Sequence, residues 1–174
     1  MPTDKFTKQS LHKAGAFAVA QLVNSKQHNI VVAAPQDKKV DLRITNKESG
    51  KRYRIKVSVT DMQINDRGSA GVGLTWMLNK DNQKEDQIAD NLYYCFVHLK
   101  TEGEKTKFRF FVVPSKIVAE YLKNSFDLWL DEVKGRDKNN EVRIFLLGQE
   151  DGKYPLGFKT PFENEYEDKW DLLV

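Results

Sequence analysis

Asp41 and Lys56 occupy the polar sides of two adjoining alternating runs in "KKVDLRITNKESGKRYRIKVS", residues 38–58. A carboxylate beside an ammonium supports two readings. One is a site for metal-assisted phosphodiester chemistry. The other is the wet face of a hairpin, where a cross-strand ion pair contributes a few tenths to about 1 kcal/mol. The surrounding side chains are basic: Lys39, Arg43, Arg52 and Arg54, with Lys38, Lys47 and Lys51 nearby. Such a patch binds phosphates without regard to sequence and in a salt-sensitive way, or else simply solubilises a strand face.

Two strands must position these groups. Val40, Leu42 and Ile44 alternate with Asp41, Arg43 and Thr45, and Tyr53, Ile55 and Val57 alternate with Arg54, Lys56 and Ser58. Period-two alternation gives each strand one apolar and one polar face. "NKESGK" supplies the turn, with Gly50 able to take positive φ. If both apolar faces meet one core, Asp41, Arg43, Arg54, Lys56 and Ser58 share the opposite side.

Ahead of the hairpin, "KQSLHKAGAFAVAQLVNSK" predicts a helix with Leu11, Ala14, Ala18 and Leu22 inward, Val19 and Val23 beside them, and Ser10 as a cap. Its small residues suit close packing on a sheet. "NIVVAAP" predicts a short buried strand. Beyond the hairpin, "TDMQINDRGSAGVG" reads as a loop, then a short strand through Trp76 and a charged surface loop. Strands follow at 92–100 and 107–114, then a helix from Ser115, a strand in "EVRIFLLG", and one amphipathic C-terminal helix through Phe162, Tyr166, Trp170 and Leu173. That order predicts one α/β (α+β) domain over 1–174, with a mixed central sheet flanked by helices.

Composition narrows the function classes. The chain has 174 residues, 40% hydrophobic and 30% charged, which suits a globular domain with a sizeable core. A net charge of +3 permits a nucleic-acid partner without demanding one. The single cysteine, Cys95, excludes an internal disulfide framework and a cysteine-rich zinc site. His12, His28 and His98 lack zinc spacing, and His98 lies on an aromatic strand where packing explains it. No run is long and apolar enough to span a bilayer, and "MPTDKFTKQS" lacks a secretory layout. A soluble cytoplasmic protein with no membrane partner is expected.

Helix, short strand, an Asp-bearing strand and an X-hydrophobic-Lys strand together resemble the PD-(D/E)xK restriction-endonuclease-like superfamily. Gly15 in "KAGAFAVAQL", Asp41 in "VDLRI" and Lys56 in "YRIKVS" carry the resemblance, and the later strand–strand–helix run is similar to small bacterial members. The resemblance implies a Mg²⁺-dependent endonuclease in which Asp41 ligates the cation. Metal and Lys56 would then activate water and stabilise charge on the scissile phosphate. Two positions depart from the pattern. Arg54 replaces the acidic or amide residue two before the lysine, and its guanidinium has donors only. Ala16 follows Gly15 where a glutamate would help, leaving Asp37 and Asp61 as candidate substitutes. The expectation is therefore a degraded nuclease that binds nucleic acid through Arg43, Arg54, Lys39 and Arg52, or retains weak Mg²⁺-dependent hydrolysis. The alternative is a non-catalytic interaction or structural domain, and a homodimer suits either.

Overall fold

The chain opens on a helix whose burial shows how it meets the sheet. In the computed structural model, which describes residues 8–25, 28–32, 40–62, 72–102, 105–132, 135–149 and 158–173, α1 spans Lys8–Ser25. Its buried stripe is Leu11, Gly15, Val19 and Val23, one position on from the expected Ala14, Ala18 and Leu22, which are half-buried. Ser10 lies inside the helix rather than capping it. A side chain at Gly15 would collide with the Val59 methyls, so glycine is what lets α1 lie close to the sheet.

Among the described residues the main sheet has five strands in the order β1-β2-β3-β5-β6, formed by His28–Val32, Leu42–Asn46, Arg52–Thr60, Leu92–Glu102 and Lys105–Pro114. It is mixed: β3 runs parallel to β5, and every other neighbour is antiparallel. Gly50, at φ 69°, turns the β2–β3 hairpin as expected. The β5–β6 hairpin is tighter than "TEGEKT" suggested, because its strands run on to Glu102 and back from Lys105. β4, Gly73–Asn79, does not join this sheet. It pairs antiparallel with β7, Val142–Gly148, as a separate two-stranded ribbon.

Alternation divides the core into two layers. Tyr53, Ile55 and Val57 of β3, with Cys95, Val97 and Leu99 of β5, pack against α1 and the C-terminal Trp170 and Leu173. Tyr94, Phe96, Phe111 and Val113 face the other way, against Leu74, Trp76, Phe145 and Leu147 of the ribbon and against α2, Ser115–Glu132. The α2 stripe is Val118, Tyr121 and Leu122, spaced as a half-buried helix requires. The Ser115 hydroxyl accepts the Ala89 N–H and donates to the Ala89 carbonyl. Trp76 Nε1 donates to the Val97 carbonyl at 3.1 Å, tying ribbon to sheet.

The single C-terminal helix is a correction. Residues Glu163–Tyr166 form one turn, α3, and Trp170–Leu173 a separate 3-10 turn. Between them Asp168 takes φ 54° and its N–H bonds the Phe110 carbonyl of the β6 edge. Arg109 on that edge holds Glu167 through two 2.7 Å hydrogen bonds and Glu163 through a third contact at 2.7 Å. Docking onto β6 outcompetes a continuous helix.

Candidate functional site

Arg54, Lys56 and Ser58 project from β3 towards the side on which Tyr94 and Phe96 carry the ribbon. The end of β4, Leu78 and Asn79, leads into two 3-10 turns, Lys80–Gln83 and Glu85–Gln87, and a cavity of about 420 Å³ lies between these residues and β3. Asp41, Lys56 and Ser58 line one wall, and Asp81, Asp86 and Gln87 the other. The hairpin pair singled out in the sequence therefore does meet at one concave surface.

Asp41 reaches it through an irregularity. Leu42 is the register partner of Ile55, yet the Asp41 N–H also bonds the Ile55 carbonyl at 2.9 Å, so two residues of one chain oppose one of the other. This lies at the start of β2, where the chain leaves the regular ladder and the Asp41 side chain is re-aimed. β2 pairing stops there, and Asp41 Oδ2 accepts the Val57 N–H at 2.7 Å in place of a ladder carbonyl. Oδ1 meets His12 Nε2 of α1 at 2.9 Å. That hydrogen bond raises the His12 pKa above its usual value, while burial opposes the rise. His12, one helical turn before Gly15, is the α1 side chain that reaches Asp41. Its type and position on the Gly15 side of α1 were the only sequence signals.

Lys56 is held equally firmly. Its Nζ donates to Gln87 Oε1 at 2.8 Å and to the Tyr94 hydroxyl at 3.4 Å, and it lies 5.3 Å from the centre of the Tyr94 ring. Asn82 Nδ2 donates to the same hydroxyl at 2.8 Å. Burial pushes the Tyr94 phenol up to about 12, so it stays neutral. Nothing in "NKDNQKEDQ" marks Gln87 as a partner of a strand lysine some thirty residues earlier in the chain, or Asn82 as a partner of Tyr94; the contacts are purely tertiary.

The arginines line up beside this cavity. Arg43 and Arg54 are direct cross-strand partners, with Arg43 exposed and Arg54 half-buried. Arg54 Nη2 donates to Asn91 Oδ1 at 3.2 Å, and its buried Nε has no hydrogen-bond partner. Arg52 is exposed at the start of β3. Lys39 and Asp37 lie outside the described residues. Asp61 is exposed past the end of β3 and does not line the cavity. His98 packs as expected, buried with Nε2 at 3.1 Å from the Met62 carbonyl.

Among the described residues the donor set does not fit a divalent cation. Mg²⁺ requires near-octahedral oxygen ligation. Both Asp41 oxygens are already hydrogen-bonded, and Arg54 offers no lone pair. Asp81 is drawn to Lys84 at 2.6 Å, and that hydrogen bond lowers its pKa. Among the described residues no three His, Cys, Asp or Glu side chains are grouped to hold a metal. The turn wall is braced from behind. Buried Arg143 of β7 donates from Nε to Gln83 Oε1 at 2.7 Å, and its guanidinium stacks 3.3 Å from the Phe126 ring centre on α2.

No family model and no curated protein matches this sequence. Among solved structures the chain is similar to a bacterial homing endonuclease, with a TM-score of 0.51 at 11% identity, covering 97% of this chain and 92% of the other. At that identity the likeness shows the fold: a mixed α+β architecture of a kind a nuclease uses. Among the described residues no helix is long and apolar enough to cross a membrane.

Proposed function

We propose that this protein binds nucleic acid through the β2–β3 hairpin, as a degenerate relative of the PD-(D/E)xK nucleases that lacks their metal-ligating set. The observation that carries this is the register pairing of Arg43 with Arg54 beside Asp41 and Lys56. Like charges directly opposite on antiparallel strands are destabilising. Two guanidiniums side by side present several donors to one phosphate, the geometry for which arginine is best suited. The homing-endonuclease fold supports a nucleic-acid partner over a small anion.

The test is binding of duplex DNA and RNA across a salt series. The logarithm of affinity falls with that of salt by about 0.9 per phosphate neutralised. The Arg43→Ala/Arg54→Ala protein should bind more weakly, with a slope shallower by about 1–2. An unchanged slope contradicts the hairpin as the binding face. Mg²⁺-dependent hydrolysis finds no support in the donor set; cleavage by the wild type that Asp41→Ala abolishes would reinstate it.

A second reading rests on the ribbon. Met77 and Ile144 are register partners exposed to 59% and 53%, with Val142 beside them. An outward apolar strip of this kind suits an interaction module. Under that reading the chain self-associates in a way that Ile144→Lys abolishes, and shows no salt-dependent nucleic-acid binding.

A further inference from the structure

We infer that the cavity between β3 and the 3-10 turns receives one unpaired nucleotide of a strand held by the hairpin. This rests on the hairpin reading and adds a second kind of recognition to it. At about 420 Å³ the cavity lies in the range of small-ligand sites. It is walled on two sides by β3 and the turns, so it admits an extruded or single-stranded nucleotide and not a stacked duplex.

Charge decides which part of the nucleotide enters. Among the described lining residues the carboxylates Asp41, Asp81 and Asp86 outnumber the ammoniums Lys56 and Lys84, which disfavours a phosphate there more than a neutral base. The phosphates stay outside, on Arg43 and Arg54. A base edge needs both acceptors and donors. Asp86 is an acceptor with no hydrogen bond or ion pair among the described residues. Gln87 uses its amide oxygen on Lys56, which fixes the orientation of the amide and leaves its N–H groups as donors. The Ser58 hydroxyl, half-buried on the sheet wall, adds a group that can do either. Enzymes and readers that take a base out of the stack use such a pocket, with hydrogen bonds to the base edge, and gain most where the base is already unpaired.

The experiment compares three labelled probes by fluorescence anisotropy, in EDTA so that no divalent cation takes part. They are a fully paired duplex, the same duplex with one bulged nucleotide, and the same bulge without its base. The bulged probe should bind about tenfold tighter than the paired one, the scale of one captured base, and the abasic bulge should show no gain. Free nucleoside should compete away the gain alone. Ser58→Leu, which fills the cavity, should remove the gain while leaving paired-duplex affinity and salt slope unchanged. Should Ser58→Leu fail to fold, Asp86→Leu on the exposed turn should remove it as well. Equal binding of paired and bulged probes, with ordinary salt dependence, overturns the cavity and spares the hairpin. Equal gain from bulged and abasic probes also overturns it, because flexibility alone then accounts for the effect. No salt-dependent binding of any probe overturns the hairpin reading and this inference with it.

Discussion

Replacing Asp41 by alanine and by asparagine separates its two jobs. Oδ2 satisfies the Val57 N–H at 2.7 Å where β2 has stopped pairing, and Oδ1 holds His12 at 2.9 Å. Alanine abandons both. The orphaned, part-buried N–H costs about 1–3 kcal/mol. The His12 pair, with side chains 44% and 30% exposed, is screened by solvent and contributes about 0.2–1 kcal/mol. The total is about 1–4 kcal/mol. Asparagine keeps a carbonyl for Val57 and loses the ionic component, so it should cost about 0.2–1 kcal/mol, less than alanine. Urea unfolding measures both variants. His12 gives a second readout by NMR titration: its pKa is raised in the wild type and should fall towards 6.5 in Asp41→Asn. A group whose pKa is raised on folding stabilises fully below its unfolded value, and that stabilisation is lost as pH rises through the folded value. The gap between wild type and Asp41→Asn should therefore be wider at about pH 6 than at about pH 8.5. Equal costs for alanine and asparagine, or an unmoved His12 titration, would show that Asp41 does not hold Val57 and His12 in these two ways.

Three further outcomes follow from the packing. His98 has its pKa lowered, chiefly by burial, so its contribution is complete above 6.5 and lost as pH falls from there towards the folded value; His98→Gln should flatten that acid-side decline in stability, and an unchanged pH profile counts against it. Gly15→Ala gains about 1 kcal/mol of helix propensity but collides with Val59 at a cost of about 1–3 kcal/mol, for a net loss that Val59→Ala should partly rescue in a double-mutant cycle; a more stable Gly15→Ala protein contradicts the close approach of α1. Arg109→Ala strands the buried Glu163 carboxylate and frees Glu167, which should lower thermal stability by about 2–4 kcal/mol, and a loss under about 0.5 kcal/mol would show that the C-terminal segment is held by other contacts.

The hairpin was legible because alternation and turn chemistry are local: Leu42, Ile44, Tyr53, Ile55 and Val57 are buried as the pattern required, and Gly50 turns the chain. The α1 stripe was misplaced by one residue, since a helix of small side chains offers little contrast between faces, and the sheet selected Gly15 for its lack of a side chain. The pairing of β4 with β7 left no local trace, because the strands are separated by the whole β5–β6–α2 unit. The C-terminal break at Asp168 was set by distant Arg109 and Phe110. At the cavity, Asp41 and Lys56 could be paired by strand spacing. His12 and Gln87 could not, because each arrives from an element whose docking depends on the whole fold.

The brace of Arg143 behind Gln83 has a mechanical consequence. The wall bearing Gln87 is fastened to the ribbon and α2, whereas the wall bearing Lys56 belongs to a strand packed on α1. The cavity thus lies where two layers meet, bridged by the Lys56–Gln87 and Asn82–Tyr94 hydrogen bonds, and its aperture follows any slip that breaks them. The arginine row rides wholly on the sheet and is indifferent to that slip. Charge recognition and shape recognition should then respond to different stresses: added salt weakens the first, while heat or pressure, which loosen contacts between layers, blunt the second before the hairpin is disturbed.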